Sequence, residues 1–212
     1  MNTTTILIVD DHPMMRTALR IALEDEADLT VVGEAGTVAE GRRQASALKP
    51  DLILLDLYLP DGSGLELIHF RNEQMSATRI LMMTSSSNEK DIMDAVRAGA
   101  DSYLVKDSPP EELLLALRTV MAGESFLTPG ATGILLKQLR QPPSGSKPEE
   151  TPLSVREKEI LHHLAGGASS TEAAEALRIS ESTLRTHMQH ILKKLALQNR
   201  AQAIIYAVKN HL

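Results

Sequence analysis

Within the first 125 residues, short apolar runs alternate five times with amphipathic segments, and this alternation restricts the possible folds more than any other feature. The runs Thr5–Val9, Leu29–Glu34, Leu52–Leu55, Arg79–Met83 and Ser102–Val105 have the length and β-branched or aliphatic content of strands. Between and after them, Met14–Leu23, Val38–Leu48, Leu65–Arg71, Lys90–Arg97 and Glu112–Met121 carry apolar residues at helical spacing. Strands joined by helix-length connections pair in parallel, so the pattern predicts an α/β unit with a doubly wound five-stranded parallel sheet. "SPPEE" predicts the start of the last helix, with Ser108 as N-cap, Pro109 at the first helical position and Glu111 closing a capping box.

The third run stops on a carboxylate, Asp56, in "KPDLILLDLYLPDGSG". In a parallel sheet the C-terminal strand ends share one edge, which is where ligands of open α/β sheets bind. Asp10 and Asp11 follow the first strand, Thr84 ends the fourth and Lys106 ends the fifth. Any one of these is commonly a solvated terminus; four strand ends agreeing argues for a site. Carboxylates crowded together repel, and a hard divalent cation with oxygen ligands such as Mg²⁺ relieves that repulsion. Acids, a hydroxyl and an ammonium around a metal suit phosphoryl transfer, which is mostly positioning and charge neutralisation.

The second half has a different character. "QPPSGSKPEETP", residues 141–152, is rich in Pro, Ser, Gly and charge and reads as a linker; the linker segment between the domains is taken as residues 126–150, within which "GILLKQLR" can form a short helix. Residues 151–212 show no strand pattern. Capping boxes Ser154–Glu157 and Ser169–Glu172, a start at Ser180 and a run from Gln198 to Val208 predict a small all-α domain of four helices. The tight "LRIS" connection fits a helix-turn-helix, and a four-helix interaction domain fits the pattern as well. In the third helix Leu184, Met188, Ile191, Leu192 and Leu195 make an inward stripe, with Ser182, Arg185, Thr186, Gln189 and Lys193 opposite. His187 and His190 lack a third metal ligand.

Charge separates the two halves. Residues 1–125 hold 11 Lys and Arg against 21 Asp and Glu, whereas residues 151–212 hold 8 against 5. A balance of +3 fits a polyanionic partner, and it also fits ordinary charge scatter. The absence of Cys excludes disulfides and thiolate metal sites. No window approaches the ~18 uninterrupted apolar residues of a membrane span, and the N-terminus lacks a signal-peptide pattern. The expectation is a cytoplasmic protein without a membrane partner.

The acidic pair Asp10-Asp11, Asp56 followed by "LPDGSG", Thr84, and Lys106 with Tyr103 three residues before it resemble the receiver domain of two-component response regulators, over residues 1–125. "REKEIL", "ISESTLRTH", "ILKKL" and "NRAQA" together resemble the LuxR-type helix-turn-helix of the NarL/FixJ subfamily, over residues 151–212. Ala173 and Ala174, where a larger apolar residue and an Ala are usual, imply looser packing, and Leu184 replaces a commoner Val. The resemblance implies that Asp56 accepts a phosphoryl group from a sensor histidine kinase. It implies that Asp11, Asp56 and the backbone carbonyl of Tyr58 ligate Mg²⁺, with Asp10 helping through water. Thr84 and Lys106 would contact the phosphoryl group, and Tyr103 would turn inward on activation. Phosphorylation would promote a homodimer that binds double-stranded promoter DNA, with RNA polymerase a further candidate partner. Arg185, Gln189 and Thr186 can meet base edges, with Ser182 beside them; Lys193, Lys194 and Arg200 are better suited to phosphates. Such a chain is not an enzyme beyond its own phosphotransfer and dephosphorylation. A phosphohydrolase of the haloacid-dehalogenase type also uses a strand-end Asp, but it needs a second Asp where this chain has Tyr58. A receiver that signals without phosphate would normally have lost site residues, and none is missing.

Overall fold

The computed structural model describes residues 3–75, 77–86, 88–128, 130–134, 153–210 and 212. It divides into two compact units, Met1–Thr132 and Gly133–Leu212. In the first unit the elements run β1 (Thr4–Val9), α1 (Pro13–Glu24), β2 (Leu29–Ala35), α2 (Val38–Leu48) and β3 (Leu52–Asp56). A two-rung hairpin, β4 (Tyr58–Leu59) and β5 (Gly62–Ser63), precedes α3 (Leu65–Gln74). Then come β6 (Arg79–Thr84), α4 (Glu89–Ala98), β7 (Ser102–Val105) and α5 (Pro110–Met121). The five long strands form one sheet in the order β2-β1-β3-β6-β7, all parallel.

Both faces of the sheet are covered, which is why its strands are nearly continuously apolar. Ile6, Ile8, Leu52, Leu54, Leu81, Met83 and Leu104 form one core cluster with Leu19 and Leu23 of α1 and Leu113, Leu117 and Val120 of α5. On the other face α2 approaches so closely that a Cβ on Gly41 would lie 3.2 Å from both Val9 and Leu67.

Two local expectations are corrected. The N-cap of α5 is Pro109 rather than Ser108, and no side-chain cap bond forms. Pro109 is extended (φ −64°, ψ 154°) because a residue preceding proline is forced out of the helical region, so the helix opens at Pro110. Residues 126–128, expected in the linker, belong to the first unit. The Phe126 carbonyl accepts from the Tyr103 amide and the Ser102 hydroxyl, and Leu127 bridges to Tyr103 beside the edge strand β7. Most of the helix expected in "GILLKQLR", together with the Pro-rich linker, lies outside the described residues.

The second unit carries α6 (Val155–Ala165), α7 (Ser170–Ala176), α8 (Glu181–Lys194) and α9 (Arg200–Lys209). Both predicted capping boxes form, Ser154–Glu157 and Ser169–Glu172, and Ser180 caps α8. The turn before α8 places Arg178 in the left-handed region (φ 54°). Leu184, Met188 and Ile191 are buried with Ile160, Leu161, Leu164 and Ala203, and Ala173 and Ala174 are buried in the same cluster.

Candidate functional site

Strand register brings the polar residues together. Val9 pairs with Leu55, Asp56 with Met83, and Thr84 with Val105, so Asp10, Asp56, Thr84 and Lys106 all reach the C-terminal edge of the sheet. The Lys106 ammonium lies 2.6 Å from Asp10 Oδ2 and 2.7 Å from Asp56 Oδ2, and the three side chains are 6%, 3% and 5% exposed. One cation therefore serves two buried carboxylates. Burial pushes the Asp56 carboxyl upward, Lys106 pulls it back, Asp10 adds to the rise, and the net direction is up. Burial acts to lower the Lys106 ammonium, but hydrogen bonds to both carboxylates outweigh it and hold the charge firmly.

Ligand atoms from Asp10, Asp11, His12 and Asp56 all lie within 4.8 Å of one another. Asp11 Oδ1 is buried without a well-formed hydrogen bond, although His12 Nδ1 comes to 2.5 Å. An oxygen-rich donor set, with an Asp11 oxygen met only by the His12 ring, fits a hard divalent cation. His12, which sequence reasoning did not single out, also gives its amide to Asp10 Oδ1 at 2.8 Å, shaping the loop.

Tyr58 is exposed. Its amide faces Asp56 Oδ1 at 3.4 Å, and its phenol donates to Asp91 Oδ2 at 2.6 Å. Thr84 is fully buried, and its hydroxyl oxygen accepts from the Ser86 amide at 3.1 Å. Tyr103, expected to turn inward on activation, is already fully buried in this structure, and its phenol donates to the Ser86 carbonyl at 2.7 Å. The Ser86 hydroxyl in turn donates to Asp91 at 2.6 Å. Ser86 and Asp91 thus join Tyr58, Thr84 and Tyr103, a link that no sequence spacing announces.

Three further residues shape the site. A Cβ on Gly64 would lie 2.1 Å from the Asp56 carbonyl oxygen, so only glycine lets the loop close under the strand end. Asp61 accepts from the Val38 and Ala39 amides at 2.7 and 3.0 Å, tying the hairpin to the N-terminus of α2. Arg16 donates to the Asp10 carbonyl at 2.7 Å. The "GSG" glycine and the acid before it were visible in the sequence, but their partners were not.

In the second unit Ser182, Arg185, Thr186, Gln189 and Lys193 are all exposed on α8. The Thr186 hydroxyl donates to the Ser182 carbonyl one turn back, leaving its oxygen free to accept. The structure gives Lys194 and Arg200 other work. Lys194 Nζ pairs at 2.7 Å with Glu157, whose side chain is 4% exposed, and Arg200 bonds Ser170 Oγ and the Ala168 carbonyl. Both hold helices together, so a DNA phosphate would have to compete with those partners.

The sheet, its acidic edge and the helix-turn-helix define a class: this chain belongs to the response regulators with a LuxR-type DNA-binding domain, the transcriptional regulators of two-component systems. The family model "Response regulator receiver domain" matches residues 6–118, and "Bacterial regulatory proteins, luxR family" matches residues 151–207. Among its relatives is the nitrate/nitrite response regulator protein NarL of Escherichia coli, 40% identical over 95% of this chain and 94% of that protein. Another is the DNA-binding transcriptional activator DevR/DosR of Mycobacterium tuberculosis, 35% identical over 96% and 94%. The solved structure of the response regulator ChrA of a heme-sensing two-component system covers 100% of this chain and 99% of its own, at 32% identity and a TM-score of 0.54. Among the described residues no helix is long and apolar enough to cross a membrane.

Proposed function

We propose that Asp56 accepts a phosphoryl group from a sensor histidine kinase and that this modification controls dimeric binding to promoter DNA. The observation that carries the reading is the buried Asp10–Lys106–Asp56 triad, a cation already held beside the nucleophile. An Asp56 carboxylate oxygen attacks phosphorus, the new O–P bond forms as the P–N bond of a phosphohistidine breaks, and the imidazole keeps the electron pair and takes up a proton. Asp10, Asp11, Asp56 and the Tyr58 carbonyl would hold Mg²⁺, which neutralises charge on the carboxylates and on the transferring oxygens. Lys106 donates to the phosphoryl oxygens, as does the Thr84 hydroxyl. Any shift of Thr84 reaches Ser86 and, through the Ser86 carbonyl, the buried Tyr103 phenol.

The readout follows from the charge of the second unit. At +3, one copy makes few phosphate contacts. Two copies on half-sites about 10 bp apart would combine them. Arg185, Thr186 and Gln189, flanked by Ser182, face the bases; Lys193 meets phosphate, with Lys194 and Arg200 contributing where their internal partners allow. The setting is the cytoplasm, and RNA polymerase is the further partner of a bound regulator.

Incubation with Mg²⁺ and a small phosphodonor, followed by mass analysis of the modified peptide, tests the reading. The expected label is one phosphoryl group on Asp56, lost in Asp56→Asn and in excess chelator. Full labelling of that variant would sink it.

A further inference from the structure

Every polar group of Asp10 has a partner. Its amide donates to the Ala35 carbonyl at 3.0 Å, Oδ1 accepts from the His12 amide, and Oδ2 meets Lys106. Its carbonyl, the hinge of the Asp10–Asp11 peptide, is held by Arg16 Nη1 at 2.7 Å. The same guanidinium places Nε 3.2 Å from Glu34 Oε2. Glu34 also takes Arg20 Nε at 2.6 Å on its other oxygen, and Arg20 pairs onward with Glu24. The anchor runs from α1 to the end of β2, the one strand that sends no group to the edge directly.

We propose that Arg16 is a positioning residue for the divalent-cation site: its guanidinium fixes the Asp10–Asp11 peptide, and Glu34 neutralises it so that it does not repel the metal. The inference rests on the functional reading above, because it concerns the same acidic pair. The planar fork explains the residue type. One N–H sets the carbonyl while another is locked on a carboxylate, a geometry that the point charge of lysine does not reproduce. With the peptide plane set, Asp11 has little freedom except in its own side chain, and Oδ1 stays buried with no well-formed hydrogen bond.

Coulomb attraction and positioning make opposite predictions, which gives the test its force. Removing a positive charge near a cation site should tighten cation binding if charge alone matters. Loss of positioning should weaken it, by about tenfold or more, as for other groups that orient metal ligands. Binding of Mn²⁺ alone, which takes the same oxygen ligands, would be followed by the electron paramagnetic resonance of the free ion. The full chain would be compared with Arg16→Gln, Arg16→Lys, Asp11→Asn and Arg118→Gln, with thermal melts alongside. Arg118 pairs with Glu26 in an ion pair outside the site and serves as the control. The expected result is weaker binding in both Arg16 variants, none in Asp11→Asn and no change in Arg118→Gln. Arg16→Lys keeps the charge and carries the test if Arg16→Gln does not fold. Unchanged or tighter binding in the folded Arg16 variants, with binding lost in Asp11→Asn, overturns this inference and leaves the functional reading intact. Wild-type binding in Asp11→Asn overturns the cation site itself.

Discussion

Gly64→Ala should displace the proposed phosphoacceptor, Asp56, through its backbone, without touching its side chain. Gly64 lies in the ordinary helical region (φ −54°, ψ −23°), so the added methyl group meets no conformational penalty. The obstacle is space: the new Cβ would stand 2.1 Å from the Asp56 carbonyl oxygen, 3.1 Å from its carbon and 3.2 Å from Leu55 Cγ. Contacts under 3.0 Å do not persist, so the strand end and the start of α3 must part by about 0.9 Å. Asp56 sits in a parallel ladder against Met83 and cannot absorb that shift cheaply. Overpacking of this kind costs about 1–3 kcal/mol. A displacement near 1 Å at a reacting group can cost about 100-fold in rate. Urea unfolding of the unmodified protein would measure the first, and the rate of labelling by a small phosphodonor in Mg²⁺ the second. Gly133→Ala is the control, since among the described residues nothing lies within 4 Å of its added carbon. A wild-type midpoint together with a wild-type labelling rate in Gly64→Ala would refute the argument that close approach is why glycine stands there.

Lys106→Ala leaves two buried carboxylates without their cation and should cost roughly 3–5 kcal/mol in urea melts. Saturating Mg²⁺, at about 100 times its Kd, should restore up to about 2.7 kcal/mol, and an unchanged midpoint would disprove the role of the triad. Because burial raises the folded-state Asp56 carboxyl above its unfolded value, ionised Asp56 costs stability at neutral pH. Asp56→Asn should therefore be at least as stable as wild type at pH 7, and its advantage should fade as pH falls and Asp56 protonates; a less stable variant would contradict this. Burial acts to raise Glu157, but its bonds to Lys194 and Ser154 bring it below the usual glutamate range. That contribution is present at neutral pH and lost on acidification, so Lys194→Ala should destabilise the second unit by about 1–3 kcal/mol at pH 7 and less in acid, as followed by helical circular dichroism. Lys193→Ala should leave stability unchanged, weaken binding to all DNA sequences alike and lower the salt slope by about 1 per site. Gln189→Ala should instead cost roughly 1–3 kcal/mol on a selected operator with the slope unchanged; an unaltered base preference would show the amide to be a solvated spacer.

The sequence by itself determined what depends on near neighbours along the chain. The order of strands and helices follows from apolar spacing, and the boundaries of α2 and β7 were predicted to the residue for that reason. The capping boxes at Ser154 and Ser169 form because each links groups three residues apart. The same logic failed at "SPPEE", where one proline's constraint on the residue before it outweighed the capping pattern. Strand ends on one sheet edge were also legible, since parallel topology alone brings Asp10, Asp56, Thr84 and Lys106 together.

Tertiary structure decided how those residues are used. Lys106 reaches Asp56 across 50 residues, Asp61 ties the hairpin to a helix 22 residues upstream, and Lys194 is committed to Glu157, 37 residues away. Cations and acids abound in this sequence, and which of them pair depends on where the packed elements leave each side chain. A charge buried in that packing must find its partner nearby in space, whatever the separation along the chain. Chemical type and strand position therefore identified the candidate site, while the division of labour between its members, and the anchoring of Asp10 by Arg16, exist only in the folded molecule.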